Sequence, residues 1–233
     1  MKRESLAPAE PAIINQNRIS DQVYEYLRDE IMTGRLAPGA RLDLDELVER
    51  LKVSRMPIKE AISRLDAEGL LEIQARRGVY VRNLDPVELA ETLEVRCALE
   101  VLAGKLAVQR ITKADLENLR ALIAGMEKTT ARTEVGAHLA QNTDFHELIM
   151  KIAGNGRLLE IYRRVRIPLQ VAGIHYQTQN WTDRIAREQR EHRAIVRALE
   201  QRDEAAVERA ITSHIKRAMA SLITDVEAAA KNG

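Results

Sequence analysis

Apolar residues recur at helical spacing over most of the chain. From Ser20 to Met32, the residues Val23, Tyr24, Leu27 and Ile31 form one stripe, which predicts an amphipathic helix. Asp43 followed by Glu46 is a capping box in its Asp form, opening a short helix through Leu47, Val48 and Leu51. After the turn Lys52-Val53, Ser54 is placed to cap a further helix. Pro57 is tolerated there because first-turn amides lack intrahelical partners. That helix carries Ile58, Ala61, Ile62 and Leu65 at i, i+3, i+4 and i+7 and stops at Gly69. Two helices joined by a tight turn make a helix-turn-helix. Leu70 to Ile73 and Val79 to Val81 then read as short strands around Gln74-Ala75-Arg76-Arg77-Gly78. This is a hairpin tipped by two arginines, the wing of a winged helix.

Asn83-Leu84-Asp85-Pro86 changes the pattern. It reads as a linker entering a helix, with Asp85 as N-cap and Pro86 at the first helical position. Beyond it glycine is rare and the segments are long: Pro86 to Gln109, Thr112 to Lys128, Glu134 to Ala153, Arg157 to Gln177 bent at Pro168, Asp183 to Gln201, and Glu204 to Ala229. The expected architecture is mostly α: an N-terminal winged helix-turn-helix plus a C-terminal all-α helical bundle. The expected divisions are a flexible tail at 1–16, a winged-helix domain at 17–84 and an effector-binding and dimerisation domain at 85–230.

Composition sharpens this picture. The 233 residues are 45% apolar but only 3% aromatic, which favours helices over a β-sandwich. The single cysteine, Cys97, excludes an internal disulfide and any cysteine-held zinc. Met1 to Asn17 has no apolar run, so it reads as neither a signal peptide nor a membrane anchor but as the tail of a cytoplasmic protein. The net charge of +1 hides a local asymmetry. From Arg18 to Glu49 there are 4 basic and 8 acidic residues, and from Arg50 to Arg82 there are 8 basic and 4 acidic. A basic patch is balanced by an acidic neighbour.

The basic block holds the second helix of the helix-turn-helix. Opposite its apolar stripe, Arg55, Met56, Lys59 and Ser63 fall together, a polar front that suits a DNA major groove. With Ser54 and the wing residues Arg76, Arg77 and Gly78 they make up the expected DNA-binding set. The run Val53-Ser54-Arg55-Met56-Pro57-Ile58-Lys59-Glu60-Ala61, with Gly34, Pro38-Gly39, Glu68-Gly69-Leu70 and Gly78-Val79-Tyr80-Val81, resembles the winged helix of GntR-family transcription regulators over residues 17 to 84. The resemblance implies that Arg55 and Lys59 face DNA. Two positions depart from the family pattern: Lys59 stands where Arg is frequent, and Asp45 stands where many members carry a DNA-contacting Arg. Operator preference is therefore expected to differ from members that keep the arginine.

Three of the five histidines fall on apolar stripes of the second half: His146 with Ile149 and Ala153, His192 with Ile195 and Leu199, His214 with Val207, Ile211 and Leu222. His192 and His214 flank the Arg202-Asp203 turn almost symmetrically, so they face each other about 16 Å along antiparallel helices. Asn142 shares a face with His146 one turn away. A single inward histidine is ordinarily a hydrogen-bonded core residue. Three at matched heights, with an amide oxygen, suit a divalent metal such as zinc or nickel, with positions left open for an anion.

Arg96-x-x-Leu99-Glu100, Asn142-Thr143-Asp144-Phe145-His146, Gly154-Asn155, Glu191-His192-Arg193-Ala194-Ile195 and the stretch from Asp203 to His214 resemble the FCD effector domain of the FadR-type subfamily. The resemblance implies a metal on Asn142, His146, His192 and His214, Asn142 being a neutral version of the usual Asp. It also implies a small carboxylate effector near Arg96, with His175 as a further pocket group and His138 at the periphery. The expectation is a homodimeric repressor that reads a palindromic double-stranded operator and involves no membrane. Two other readings stand beside it: a metal-dependent hydrolase or oxygenase built on the histidines, and a non-catalytic helical scaffold.

Overall fold

The computed structural model describes residues 17–83, 85–129, 135–176 and 181–232. The expected tail at 1–16 lies outside them. Helix α1 (Asn17–Met32) is followed by strand β1 (Arg41–Leu42), helices α2 (Leu44–Leu51) and α3 (Arg55–Ala67), and strands β2 (Leu71–Gln74) and β3 (Gly78–Val81). The three strands form an antiparallel sheet in the order β1-β3-β2. Arg41 pairs with Tyr80 in one ladder and Gln74 with Gly78 in the other. The hairpin matches the sequence pattern. The two-residue β1, which closes the sheet on its other side, was too short to show any alternation.

Apolar side chains of these elements form one buried cluster running from Val23 to Val81. Leu27, Ile31, Ile58, Ala61 and Leu65 are fully buried in it, so the stripes of α1 and α3 face each other. Asp43 caps α2 by accepting from the amides of Asp45 and Glu46. Ser54 occupies the N-cap position of α3 but makes no side-chain cap hydrogen bond. Pro57, third in the helix, has no N–H and so removes one of the two amides from which the hydroxyl could accept; the other, on Met56, does not donate to it.

The second cluster runs from Leu89 to Val226 and unites six helices: α4 (Pro86–Val108), α5 (Lys113–Met126), α6 (Val135–Ile152), α7 (Gly156–Tyr176), α8 (Trp181–Glu200) and α9 (Glu204–Asn232). Capping boxes open two of them, Asp85 with Glu88 on α4 and Thr112 with Asp115 on α5. Gly154, at φ +65°, ends α6. Helices α4 and α9 approach closely at Gly104, where an added Cβ would lie 2.5 Å from Val207 Cγ1. Arg202, in the α8–α9 turn, donates to the carbonyls of Val108 and Ile111 at 2.5 and 2.8 Å. The turn is thereby tied to the end of α4, which fixes the heights of His192 and His214.

Candidate metal centre and DNA-contacting face

The three inward histidines converge. One ligand nitrogen from each of His146, His192 and His214 lies within 4.8 Å of the others, and all three side chains are buried. The Nε2 atoms of His146 and His214 are 3.3 Å apart. Each of these rings is held from behind by a carboxylate. His146 Nδ1 lies 2.6 Å from Glu100 Oε2, and His214 Nδ1 lies 2.9 Å from Glu191 Oε2. The charge of each carboxylate favours a proton on the facing Nδ1 and so turns Nε2 inward, through a hydrogen bond at His214 and, at His146, through a close ionic contact without hydrogen-bond geometry. Two such nitrogens at 3.3 Å need a proton shared in an N–H···N hydrogen bond or a cation between them, and a cation satisfies both at once.

The remaining donors are unsatisfied in a way that fits an ion. Both nitrogens of His192 and the Oδ1 of Asn142 are buried without a hydrogen-bond partner. Leaving polar atoms buried and unpaired costs about 1 to 3 kcal/mol each. Phe145 packs on His192 with ring centroids 4.4 Å apart and leaves that imidazole little room to turn away. Asp144 is exposed and contributes nothing to the cluster. The donor set of three imidazoles and a neutral amide oxygen suits a divalent ion of borderline softness.

Protonation states follow the same geometry. Burial, then the neighbouring His214 and His146, push His192 well below the usual imidazole value. Burial also lowers His146, against the upward pull of Glu100. Burial would raise Glu100, but Arg96 and His146 outweigh it and hold the carboxylate far below its usual range. The outcome at His146 and His192 is a pair of neutral imidazoles beside an ionised Glu100.

A cavity of about 80 Å³ opens beside the cluster. Its lining includes Asn142 and His214, the cations Arg96, Arg166, Arg184 and Arg217, and the polar groups of Tyr162, Glu188 and Ser221. At about 30 Å³ per water, it holds roughly two to three water-sized groups, the scale of a carboxylate group. Arg96 Nε is committed to Glu100 at 2.5 Å. Arg217 Nε donates to Glu191 at 2.5 Å, while its Nη2 is buried without a partner. Arg217 Nη2 is therefore a fully buried donor without a partner beside the cavity, a position to which the sequence pattern gives no pointer.

The side chain of His175 lies outside the described residues. His138, expected at the periphery, is instead 1% exposed: Nδ1 meets Thr129 Oγ1 at 3.1 Å and Nε2 meets Glu188 Oε1 at 3.0 Å. It anchors a carboxylate that lines the cavity, because His138 lies on the side of α6 that meets α8, while Gly136 and Ala137 of the same turn are exposed.

In the N-terminal part, Arg55, Met56, Lys59 and Ser63 are exposed on one side of α3, opposite the buried Ile58, Ala61, Ile62 and Leu65. Met56 is 66% exposed. Ser54 is exposed at the same helix end. At the wing, Arg76 takes a positive φ of 66°, and Gly78, at φ +129°, has open backbone against which the Arg41 guanidinium lies. Arg41 thus joins Arg76 and Arg77 at the sheet, brought there by β1. Among the described residues, no helix is long and apolar enough to cross a membrane.

A winged helix with an exposed basic helix face, followed by a helical bundle around a polar cavity, defines a two-part DNA-binding regulator. Comparison with known proteins agrees. Residues 19–81 match the family of bacterial regulatory proteins called the gntR family, and residues 91–217 match the FCD domain. The chain belongs to the GntR family of transcription regulators and carries an FCD domain. It is 31% identical over 202 residues to a probable D-xylose utilization operon transcriptional repressor of Paenarthrobacter nicotinovorans, covering 87% of this chain and 88% of that one. It is 32% identical over 156 residues to the Nta operon transcriptional regulator of Aminobacter aminovorans, covering 66% and 72%. Among solved structures, McbR/YncC of E. coli superposes with a TM-score of 0.75 at 23% identity, over 88% of this chain and 97% of that one. A putative GntR regulator from Rhodococcus sp. RHA1 gives 0.74 at 21% identity with the same coverage. These two likenesses establish the fold.

Proposed function

We propose that this regulator is a homodimeric, cytoplasmic repressor whose bundle, residues 85–230, binds a divalent metal and a small organic acid, and whose winged helix, residues 17–84, reads a palindromic operator. The observation that carries the reading is the convergence of three buried imidazoles, with ligand nitrogens within 4.8 Å of one another, beside an arginine-lined cavity. His146, His192, His214 and Asn142 would hold the ion. When bound, the ion supplies open coordination positions for carboxylate oxygens. Arg217 Nη2 then offers a charge-assisted hydrogen bond to a second oxygen of the acid. Glu191 links Arg217 to His214, so the acid and the metal site are mechanically connected. Differential affinity of the acid for two arrangements of the dimer sets the regulatory range.

On the DNA side, Arg55 and Lys59 reach base edges or phosphates, Ser54 offers its uncapped hydroxyl, and Met56 offers an apolar surface for a thymine methyl. Arg76, Arg77 and Gly78 of the wing contact the flanking backbone. Repression is supported by the Paenarthrobacter nicotinovorans relative, a probable repressor. For dimerisation, α4 and α7 leave Val95, Leu102 and Ile161 about half exposed on neighbouring helices, an apolar surface fit for a second copy. The test is fluorescence anisotropy on the DNA flanking its own gene. Arg55→Ala should cost about 1 to 3 kcal/mol, and wild-type affinity should fall steeply with salt. An unchanged titration for Arg55→Ala sinks the assignment of α3. A thermal-shift screen of carboxylates with and without zinc tests the acid, since ligands that bind only the native state raise its melting temperature. Shifts that ignore the metal would contradict the joint site.

A further inference from the structure

Asp45 stands at the second position of α2, and its carboxylate accepts from Nη2 of Arg55, the first residue of α3. The pair bridges the turn of the helix-turn-helix on its outer face, with side chains 71% and 65% exposed. Exposed ion pairs contribute little to stability. An acidic group on a surface that meets phosphates also weakens general attraction to DNA. An acid in the first turn of α2 is stabilised by the helix dipole, but that gain needs no contact with Arg55, and phosphate binding does not account for the contact that Asp45 makes. Its effect is geometric. It takes one amine of a guanidinium whose long stem otherwise samples many rotamers, and so sets the plane in which the remaining donors point. A fork ordered before contact loses less freedom when it binds. Among Arg55, Met56, Lys59 and Ser63, the front of α3, Arg55 alone has an ionic partner among the described residues.

We propose that Asp45 is a positioning residue that holds Arg55 in the orientation needed to read a guanine, raising sequence discrimination while lowering affinity for DNA in general. The proposal rests on the reading of α3 as the DNA-contacting helix. A bidentate arginine on guanine O6 and N7 is the commonest specific contact in the major groove, and a braced fork is better placed to make it.

The test is selection of binding sites from a random duplex pool by the full-length protein and by Arg55→Ala, Asp45→Ala and Asp45→Asn. Wild type should select a site with a fixed guanine that Arg55→Ala no longer requires. Asp45→Ala should lose about tenfold of that guanine preference while binding random duplex more tightly. Asp45→Asn keeps an acceptor oxygen without the charge, so it should bind random duplex more tightly yet retain the preference. Circular-dichroism melts should match among all four, because the altered side chains are exposed. A guanine preference in Asp45→Ala equal to or sharper than wild type overturns the proposal alone. Loss of no base preference in Arg55→Ala overturns the reading of α3 and the proposal with it.

Discussion

Glu100→Gln tests the bracing of the metal centre with one atom changed. Glu100 is 3% exposed and lies between Arg96 Nε at 2.5 Å and His146 Nδ1 at 2.6 Å. The amide keeps the volume but removes the charge that balances a nearly buried guanidinium. Breaking a buried pair from one side costs about 3 to 5 kcal/mol. For a chain of this size, each kcal/mol shifts the melting temperature by about 2 to 4 °C, so the metal-free variant should melt about 6 to 20 °C lower. Replacing both partners, as in Arg96→Met with Glu100→Leu, should recover most of that loss, because an apolar pair of similar volume needs no counter-charge. The amide also cannot hold the proton on Nδ1 of His146 as a carboxylate does, so zinc affinity should drop about 10- to 100-fold. Calorimetric melts in chelator give the first quantity, and zinc titration of the folded protein gives the second. A Glu100→Gln protein that melts with wild type and binds zinc equally well would refute the reasoning.

Other expectations follow from single contacts. Gly104→Ala places a methyl 2.5 Å from Val207 and 2.6 Å from Ile211, and urea unfolding should show a loss of about 1 to 3 kcal/mol despite the better helix former; a gain would contradict the close α4–α9 approach. Tyr24 is raised from 10.0 to about 12 by burial and then by its hydrogen bond to Glu68. Its folded form keeps a proton that the unfolded chain loses, so this contribution to stability is complete below pH 10 and fades as pH rises toward 12. Tyr24→Phe should flatten that part of the pH profile, and an identical profile would count against it. Leu102→Asp, at an exposed apolar position of α4, should convert a dimer to monomer in light scattering, and a monomeric wild type would remove the proposed interface.

Much of this was readable before any coordinates. His146, His192 and His214 were found because each repeats at helical spacing among apolar residues, and the short Arg202-Asp203 turn set two of them at equal height. The pattern could not show their carboxylate partners. Glu100 lies on α4 and Glu191 on α8, and each meets a histidine of another helix, a relation that depends on packing and leaves no periodic trace. For the same reason the pattern cannot show that Glu100 holds Arg96, or that Thr129 and Glu188 hold His138. The Ser54 cap is a different case. Pro57 removes one of the two amides within reach of the cap, and the other, the Met56 N–H, does not donate to Ser54. Strand β1 escaped because two residues carry no alternation, and with it went the position of Arg41 at the wing.

The central claim is that a buried histidine cluster in a DNA-binding regulator is a metal site rather than a packed core. Elemental analysis of the purified protein, wild type beside His192→Ala and His214→Ala, tests it most directly. The account requires close to one divalent ion per chain in wild type and its loss in both variants. Equal trace metal in all three would return the histidines to the core.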